Sequence, residues 1–492
     1  MQLSRSGHVD TFCREHLPAA DQWPDLLFEL PSLTYPERLN AGSALVDEVA
    51  WRHGPDRPCL HSPGSPTWTY GDLVVASSQV AHVLTEELGV VPGNRVLLRG
   101  PNNPWLAAAI LGVLKAGAVM VPTMPLLRAR ELATIEEIAA VDVALCDHRF
   151  LAELDRVAGG APVVAYGGDG ADDLTHRVGA HAGTFDAAGT AADDVALLAF
   201  TSGTTGRPKA TMHFHRDLLA ICDTFGAHVL RPSPDDVFLG SPPLAFTFGL
   251  GGLLVFPLHA GASTVLVEKA SPVELAQLVE EYAVTTCFTA PTAYKAMMAA
   301  GLADQLSSLH TAVSAGEHLP AATWESFKAG TGVRIIDGIG STEMLHIFVS
   351  AAGDAIRPGS TGVAVPGYAA TVLDAAGDEV PAGTAGRLAV KGPTGCRYLA
   401  DPRQLDYVQD GWNITGDTFR RDADGYFFYE ARSDDMIVSS GYNIAGPEVE
   451  AALIGHPAVA ECAVVGMPDE ARGTLVKAFV VTRTGYAASE EL

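Results

Sequence analysis

The stretch VALLAFTSGTTGRPKAT, Val195 to Thr211, carries an apolar, strand-length run straight into a loop of Thr201, Ser202, Gly203, Thr204, Thr205, Gly206, Arg207, Pro208 and Lys209. Two glycines let the backbone bend so that successive amides face one point, four hydroxyls add donors, and Lys209 adds a positive charge. Such a loop cradles phosphate. The GxxxxGK[ST] pattern of a Walker A loop is absent, so this cradle has a different geometry, suited to the β- and γ-phosphates of a nucleotide. Gly, Ser and Thr also compose flexible linkers. Linkers rarely sit between packed elements, whereas this loop leaves the run Val195–Phe200 and leads toward a helix-patterned stretch, Arg216–Val229.

Outward from the loop, short apolar runs alternate with helix-patterned segments. The runs Arg95–Leu98, Ala118–Val121 and Val143–Leu145 alternate with helices predicted over Gly71–Leu84, Pro104–Ala116 and Arg128–Ala140. After the loop the alternation resumes, with strands predicted at Ser263–Val267, Thr285–Phe288, Thr311–Ser314 and Val333–Ile336. That is the pattern of βαβ units, and it predicts an α/β fold whose large N-terminal part is built of mainly parallel sheets with flanking helices. Residues 158–194 shift to Ala, Gly and Asp and read as an exposed connection around a brief strand, Pro162–Ala165. After Val363, short strands punctuated by Ala376-Gly377, Ala382-Gly383 and Asp424-Gly425 predict a small antiparallel β region ending near Glu430. The residues from Arg432 onward read as a small C-terminal α+β unit.

At 492 residues the chain exceeds the size of a single core, so more than one domain is expected. Charged residues make up 18% and hydrophobic residues 48%, an ordinary globular composition. The formal net charge of −26 opposes binding to nucleic acid or to an anionic membrane surface, because both are held by Lys and Arg patches. A polyanionic small ligand therefore needs a local pocket of amides, cations and a metal ion. Seven cysteines stand singly, without a CxxC pair, which argues against zinc and disulfides and fits a reducing, cytoplasmic setting. Met1–Pro18 lacks the apolar core of a signal peptide. The apolar stretch Pro104–Pro122 is divided by Lys115 and Gly117 into a helix-length and a strand-length half, which predicts two buried elements in place of a membrane span.

The segment DGIGSTE, Asp337–Glu343, offers a carboxylate, Glu343, able to hold magnesium and a hydroxyl, Thr342, able to donate to a phosphate. Read alone, Glu343 also suits a solvated surface position. WNITGD, Trp412–Asp417, places Asp417 at a turn, where a carboxylate serves either as a turn former or as a bidentate acceptor.

TSGTTGRPKA resembles the signature loop of the acyl-adenylate-forming superfamily of acyl-CoA ligases, luciferases and peptide-synthetase adenylation domains. The resemblance continues in family order through LKAGAVMVP (Leu114–Pro122), DGIGSTE, WNITGD and ARSDDMIVSSGYNIAGPEVE (Ala431–Glu450). It implies ATP, Mg2+ and coenzyme A as co-substrates. In the nucleotide site it implies Thr201, Ser202, Gly203, Thr204, Thr205, Gly206, Glu317, Asp337, Gly338 and Ile339, with Asp417 on the ribose and Arg432 on the ribose or α-phosphate. Lys209, Thr342 and the metal-binding Glu343 become the catalytic set. Where relatives stack a Tyr on adenine this chain has Ile339, so an aliphatic face is expected there. Ser440, Gly441 and Tyr442 resemble the segment that closes over the phosphopantetheine arm, and Asp434 resembles the hinge of a rotating small domain. The implied division is an N-terminal adenylation domain over 1–431, a hinge at 432–434 and a C-terminal domain over 435–492.

STEMLHIF (Ser341–Phe348), YPERLN (Tyr35–Asn40), RGPNNP (Arg99–Pro104) and VPTMPLLRARE (Val121–Glu131) are similar to benzoate- and 2-aminobenzoate-CoA ligases. An aryl acid pocket is implied, with Phe246, Thr247 and Phe248 as walls, Ser314, Ala315 and Gly316 as a thin floor, and Gly340, His346 and Ile347 at its border. Read alone, His346 is equally a buried core histidine. No Asp stands beside Phe246 to pair an amino acid's ammonium. The expected activity is ATP-dependent aryl-CoA ligation. Loading of a carrier protein and a non-catalytic acyl-nucleotide binding module are the other readings, and a homodimer is compatible with the resemblance. The family's final P-x-T-x-x-G-K motif does not occur before Leu492, which reads as truncation of the C-terminal domain and predicts an impaired first half-reaction for a chain of this length.

Overall fold

The computed structural model describes all residues except 1–2, 158–159, 202–206, 433–436, 440–441, 445, 470–472 and 487–492. Two large sheets dominate. The first has six strands in the order Val163–Tyr166, Val143–Asp147, Arg95–Arg99, Val119–Thr123, Val195–Thr201 and Lys209–Phe214, parallel except for the last pair. The second has nine strands and is parallel through its middle, where Ile335–Gly340, Thr311–Ser314, Thr286–Thr289, Val237–Gly240 and Ser263–Val265 lie side by side. Its two ends finish antiparallel.

Local chemistry sets the helices that pack between and around these sheets. Asn40 caps Ala41–His53 by accepting from the amides of Gly42 and Ser43, and Thr69 with Asp72 forms a capping box at the start of Tyr70–His82. Asn103 caps Pro104–Lys115, whose first residue is a proline placed where its missing N–H costs nothing. This last helix is buried on every side, and Lys115 within it is neutralised by Asp47 at 2.8 Å. Gly117, at φ +72°, then turns the chain into the buried strand Val119–Thr123. Pro104–Pro122 is thus a helix and a strand, and among the described residues no helix is long and apolar enough to cross a membrane.

The antiparallel β region is a third sheet of Ala369–Leu373, Ala385–Lys391, Trp412–Arg421, Val408–Gln409 and Phe427–Arg432. It is followed by a small α+β unit. There the helix Gly446–Ile454 meets the hairpin Val459–Asp469 and Gly473–Thr482, and Glu450 accepts from the Val464 amide at 2.8 Å. One hydrophobic core runs from Leu45 and Val80 through Ile110 and Leu197 to Phe288 and Phe348, so both large sheets share it.

The structure departs from the sequence reading in three places. The loop after Phe200 does not lead directly to a helix: Lys209–Phe214 is a strand pairing antiparallel with Val195–Thr201, and the helix starts only at His215. A strand of six residues just before a helix carries too short a pattern to separate from it. The connection 158–194 is not exposed to its end, since Thr190 to Asp194 are buried and Asp194 accepts hydrogen bonds from Ser6, Gly7 and Ala191. Val237–Gly240, unread in the sequence, lies in the middle of the nine-stranded sheet.

Candidate active site

Lys209 opens the strand Lys209–Phe214, opposite Thr201 in the register, so its position is fixed by sheet pairing. Glu343 follows the end of the strand Ile335–Gly340, in the turn that returns to Ile347–Ser350. The two meet through a third residue. Tyr398 Oη donates to Glu343 Oε1 at 2.5 Å, Lys209 Nζ donates to Tyr398 Oη at 2.7 Å, and Lys209 Nζ lies 3.8 Å from the same Glu343 oxygen. Both contacts of the buried Glu343 run to Oε1 among the described residues. Burial and the Glu343 carboxylate push the Tyr398 phenol far above its ordinary pKa, so it stays a proton donor.

Backbone pairing explains why Tyr398 arrives there. The Met212 amide donates to the Arg397 carbonyl at 2.8 Å, the Leu399 amide donates to the Ala210 carbonyl at 2.9 Å, and Tyr398 bridges Thr211. Beneath it, fully buried Arg397 pairs with fully buried Asp217, the third residue of the helix His215–Ile221. Thr342 is held from behind, its carbonyl accepting from His213 Nε2 at 2.8 Å.

Two cavities border the segment Asp337–Thr342 that leads into Glu343. One, of about 170 Å³, is lined by Gly316, Glu317, His318, Asp337, Gly338, Ile339, Gly340, Thr361, Asp417, Phe419, Tyr429 and Arg432. Asp417 and Arg432 are register partners across neighbouring strands and lie 3.7 Å apart. Burial pushes the Asp337 carboxyl up to about 8. The second cavity, of about 180 Å³, is lined by Thr247, Phe248, Ala315, Gly316, Gly340, Ser341, Thr342, His346 and Ile347. Gly316 and Gly340 line both, so the polar cleft and the aromatic pocket adjoin each other at these two glycines.

His346 is fully buried among Phe225, Phe248, Phe256 and Phe288, and neither ring nitrogen has a hydrogen-bond partner among the described residues. Burial holds its imidazole neutral, with the pKa lowered to about 3. A Cβ at Gly251 would lie 2.3 Å from its Cδ2, so only glycine lets the ring pack there.

Of the residues singled out from the sequence, Glu317, Asp337, Gly338, Ile339, Asp417 and Arg432 share the first cavity, and Thr247, Phe248, Ala315, Gly316, Gly340, His346 and Ile347 share the second or both. Thr342 lines the second as well, followed in the chain by Glu343, to which Lys209 is joined through Tyr398. Phe246 does not line the pocket: it caps the short helix Thr247–Leu250 and is 44% exposed. Ser314 is buried in the sheet one position before the pocket floor, paired with Asp337. Thr201 ends its strand, while Ser202, Gly203, Thr204, Thr205, Gly206, Asp434, Ser440 and Gly441 lie outside the described residues; Tyr442 is described only as the first residue of the strand Tyr442–Ile444. Sequence reasoning missed Tyr398, His318 and Tyr429. The last two rings stack at 5.7 Å and bring aromatic faces to the cleft that Ile339 alone does not supply.

Residues 47–398 match the family described as AMP-binding enzyme, and residues 448–492 match the AMP-binding enzyme C-terminal domain. The chain is 34% identical to a benzoate–CoA ligase of Thauera aromatica over 94% of this chain and 89% of that protein. It is 30% identical to a 3-hydroxybenzoate–CoA ligase of Aromatoleum sp. (strain CIB), over 88% and 84%. Among solved structures, the anthranilate CoA ligase AuaEII in complex with anthranoyl-AMP superimposes with a TM-score of 0.87 at 34% identity, covering 94% of this chain and 90% of that one.

Proposed function

Because this chain belongs to the AMP-binding enzyme family, we propose that it activates an aryl carboxylic acid, of benzoate or 2-aminobenzoate type, with ATP and passes the aroyl group to coenzyme A. The observation that carries this reading is the adjacency of a polar cleft and an aromatic pocket that share Gly316 and Gly340, with Thr342 lining the pocket and Lys209 lying 3.8 Å from the next residue, Glu343. A flat ring lies between Phe248 and Ile347 with its carboxylate toward Thr342, and the nucleotide occupies the cleft with its ribose on Asp417 and Arg432. His318 and Tyr429 flank the base.

In the first step a carboxylate oxygen attacks the α-phosphorus of ATP, the bond to the bridging oxygen breaks, and pyrophosphate leaves. Lys209 and the Thr342 hydroxyl stabilise charge on the phosphate oxygens, and no bond to the protein forms. The second carboxylate oxygen of Glu343 is a hard donor of the kind Mg2+ takes, and a bound Mg2+ would supply charge neutralisation of the phosphates. Tyr398 holds Glu343 and Lys209 in register while the neutral His346 bounds the ring. In the second step the thiol sulfur attacks the aroyl carbonyl and AMP departs. This reading divides the chain at 432–434, with the small unit turning about Asp434 and the Ser440–Tyr442 segment closing on the pantetheine arm. The seven cysteines stand as free thiols, which is compatible with a cytoplasmic setting.

The test is a pyrophosphate-release assay of the full-length protein with ATP, Mg2+ and benzoate, 2-aminobenzoate or 3-hydroxybenzoate, coupled to thiol consumption by CoA. Release dependent on an aryl acid, with stoichiometric loss of the CoA thiol, is the expected result. Release supported only by aliphatic or amino acids, or aroyl transfer to a carrier protein and never to CoA, overturns the proposal.

A further inference from the structure

Three side chains outside the cleft converge where two separate segments meet. His82 ends the helix Tyr70–His82, Glu86 lies in the π-helical turn Val83–Glu87 that continues it, and His181 follows the 3-10 turn Val178–Ala180. One ligand atom from each lies within 4.8 Å of the other two, the sole such group of three found among the described residues. The i, i+4 spacing puts His82 and Glu86 on one helical face. His82 Nδ1 lies 2.7 Å from Glu86 Oε1, and His181 Nδ1 lies 3.4 Å from Glu86 Oε2.

The far nitrogen of each ring is already committed. His82 Nε2 sits 2.8 Å from the Thr184 carbonyl oxygen, which can only accept, so Nε2 carries the hydrogen. His181 Nε2 donates likewise to the carboxylate of Glu87, which Arg177 holds from the other side. Both rings turn their Nδ1 atoms toward the single carboxylate of Glu86. Three ligand atoms converge there, and a divalent ion would take the place of the protons that tie the Nδ1 atoms to Glu86. The rings are parallel within 4°, their centroids 5.7 Å apart, and Phe185 braces His82 edge-on. Outer hydrogen bonds from the second ring nitrogen to a carbonyl or a carboxylate are how metal-binding histidines are oriented.

We propose that His82, Glu86 and His181 form a binding site for a divalent transition metal of the zinc class, separate from the magnesium of the nucleotide cleft. Two imidazoles and one carboxylate are a borderline donor set that suits zinc, whereas magnesium and calcium take oxygen alone. The Glu86 side chain is 57% exposed and can swing onto the ion, leaving a fourth position for water. The bound ion ties the helix end to the 174–185 connection, a structural clasp made of residues that line neither cavity of the active site.

Titration of the EDTA-treated, nucleotide-free, full-length protein with Co2+ tests the site. One equivalent per chain should develop the visible absorption of four-coordinate Co2+, Zn2+ should displace it, and Zn2+ should raise the melting temperature. His82→Ala with His181→Ala should abolish the signal, and Glu86→Gln should weaken it. Glu87→Gln, which alters the support of His181 and the pair with Arg177 but leaves all three ligands in place, should weaken binding about 10–100-fold. Because Glu86 and Glu87 are partly exposed, their Gln variants keep the metal-free melting temperature and separate loss of binding from loss of fold. No stoichiometric signal in the parent protein, or an unchanged signal in the double His variant, overturns the proposal.

Discussion

At the residue scale, Tyr398 is what turns Lys209 and Glu343 into a unit. Its hydroxyl donates to Glu343 and accepts from Lys209, so one atom sets the spacing of both charges. A charge-assisted hydrogen bond contributes about 1.5–3 kcal/mol, which corresponds to roughly 10–100-fold in rate if it is felt at the transition state. Tyr398→Phe keeps the ring and removes that atom. Acid-dependent pyrophosphate release should lose about 10–100-fold in kcat, with KM for the aryl acid and the melting temperature little changed. An equal loss in KM alone would assign Tyr398 to acid binding. Lys209 and Glu343 were legible because their residue types announce phosphate and metal chemistry, whereas nothing in CRYLA (Cys396–Ala400) distinguishes Tyr398 from any buried tyrosine.

At the element scale, the site depends on a segment that belongs to no long strand. Residues 397–399 add themselves to the edge of Lys209–Phe214 through two backbone hydrogen bonds, and Arg397 locks them to Asp217 at the start of the next helix. Both charges are fully buried, so removing one strands the other in a low-dielectric interior. Arg397→Ala should lower unfolding free energy by about 3–5 kcal/mol, measured by urea denaturation, and should misplace Tyr398 in the fraction that folds. A loss below about 1 kcal/mol would show that water reaches Asp217 in the folded protein. Most parallel strands were legible from their apolar runs, but Val237–Gly240 was not, and neither was Lys209–Phe214, whose alternation merges with the helix that follows.

At the scale of the whole molecule, buried titratable groups set how stability varies with pH. Burial lowers His215 and His346 to about 3 and pushes Asp337 up to about 8. Unfolded, the imidazoles titrate near 6.5 and the carboxyl near 3.9. As pH falls from about 6.5 toward 3, the unfolded chain takes up protons that the two folded histidines refuse, so stability is lost toward acid. As pH rises from about 4 to 8, folded Asp337 retains a proton that the unfolded chain releases, so its contribution is lost toward base, by up to about 1.4 kcal/mol per pH unit. Asp337→Asn should therefore remove part of the fall in melting temperature between pH 6.5 and 8 and leave the acid limb in place. Parallel curves for the two proteins above pH 6.5 would show that Asp337 is ionised in the folded state.

The sequence by itself determined the α/β class, the antiparallel region after Val363 and the identity of the charged residues, because hydrophobic period and residue chemistry are local properties of the chain. It also carried the order of the family segments, which spacing alone preserves. Only the tertiary structure decided that Phe246 faces out while Phe248 faces in, that His318 and Tyr429 stand together across 111 residues, and that Tyr398 sits between Lys209 and Glu343. Those facts follow from sheet register and from the shared core, where partners far apart in the chain compete for the same buried space, and no local pattern encodes who wins.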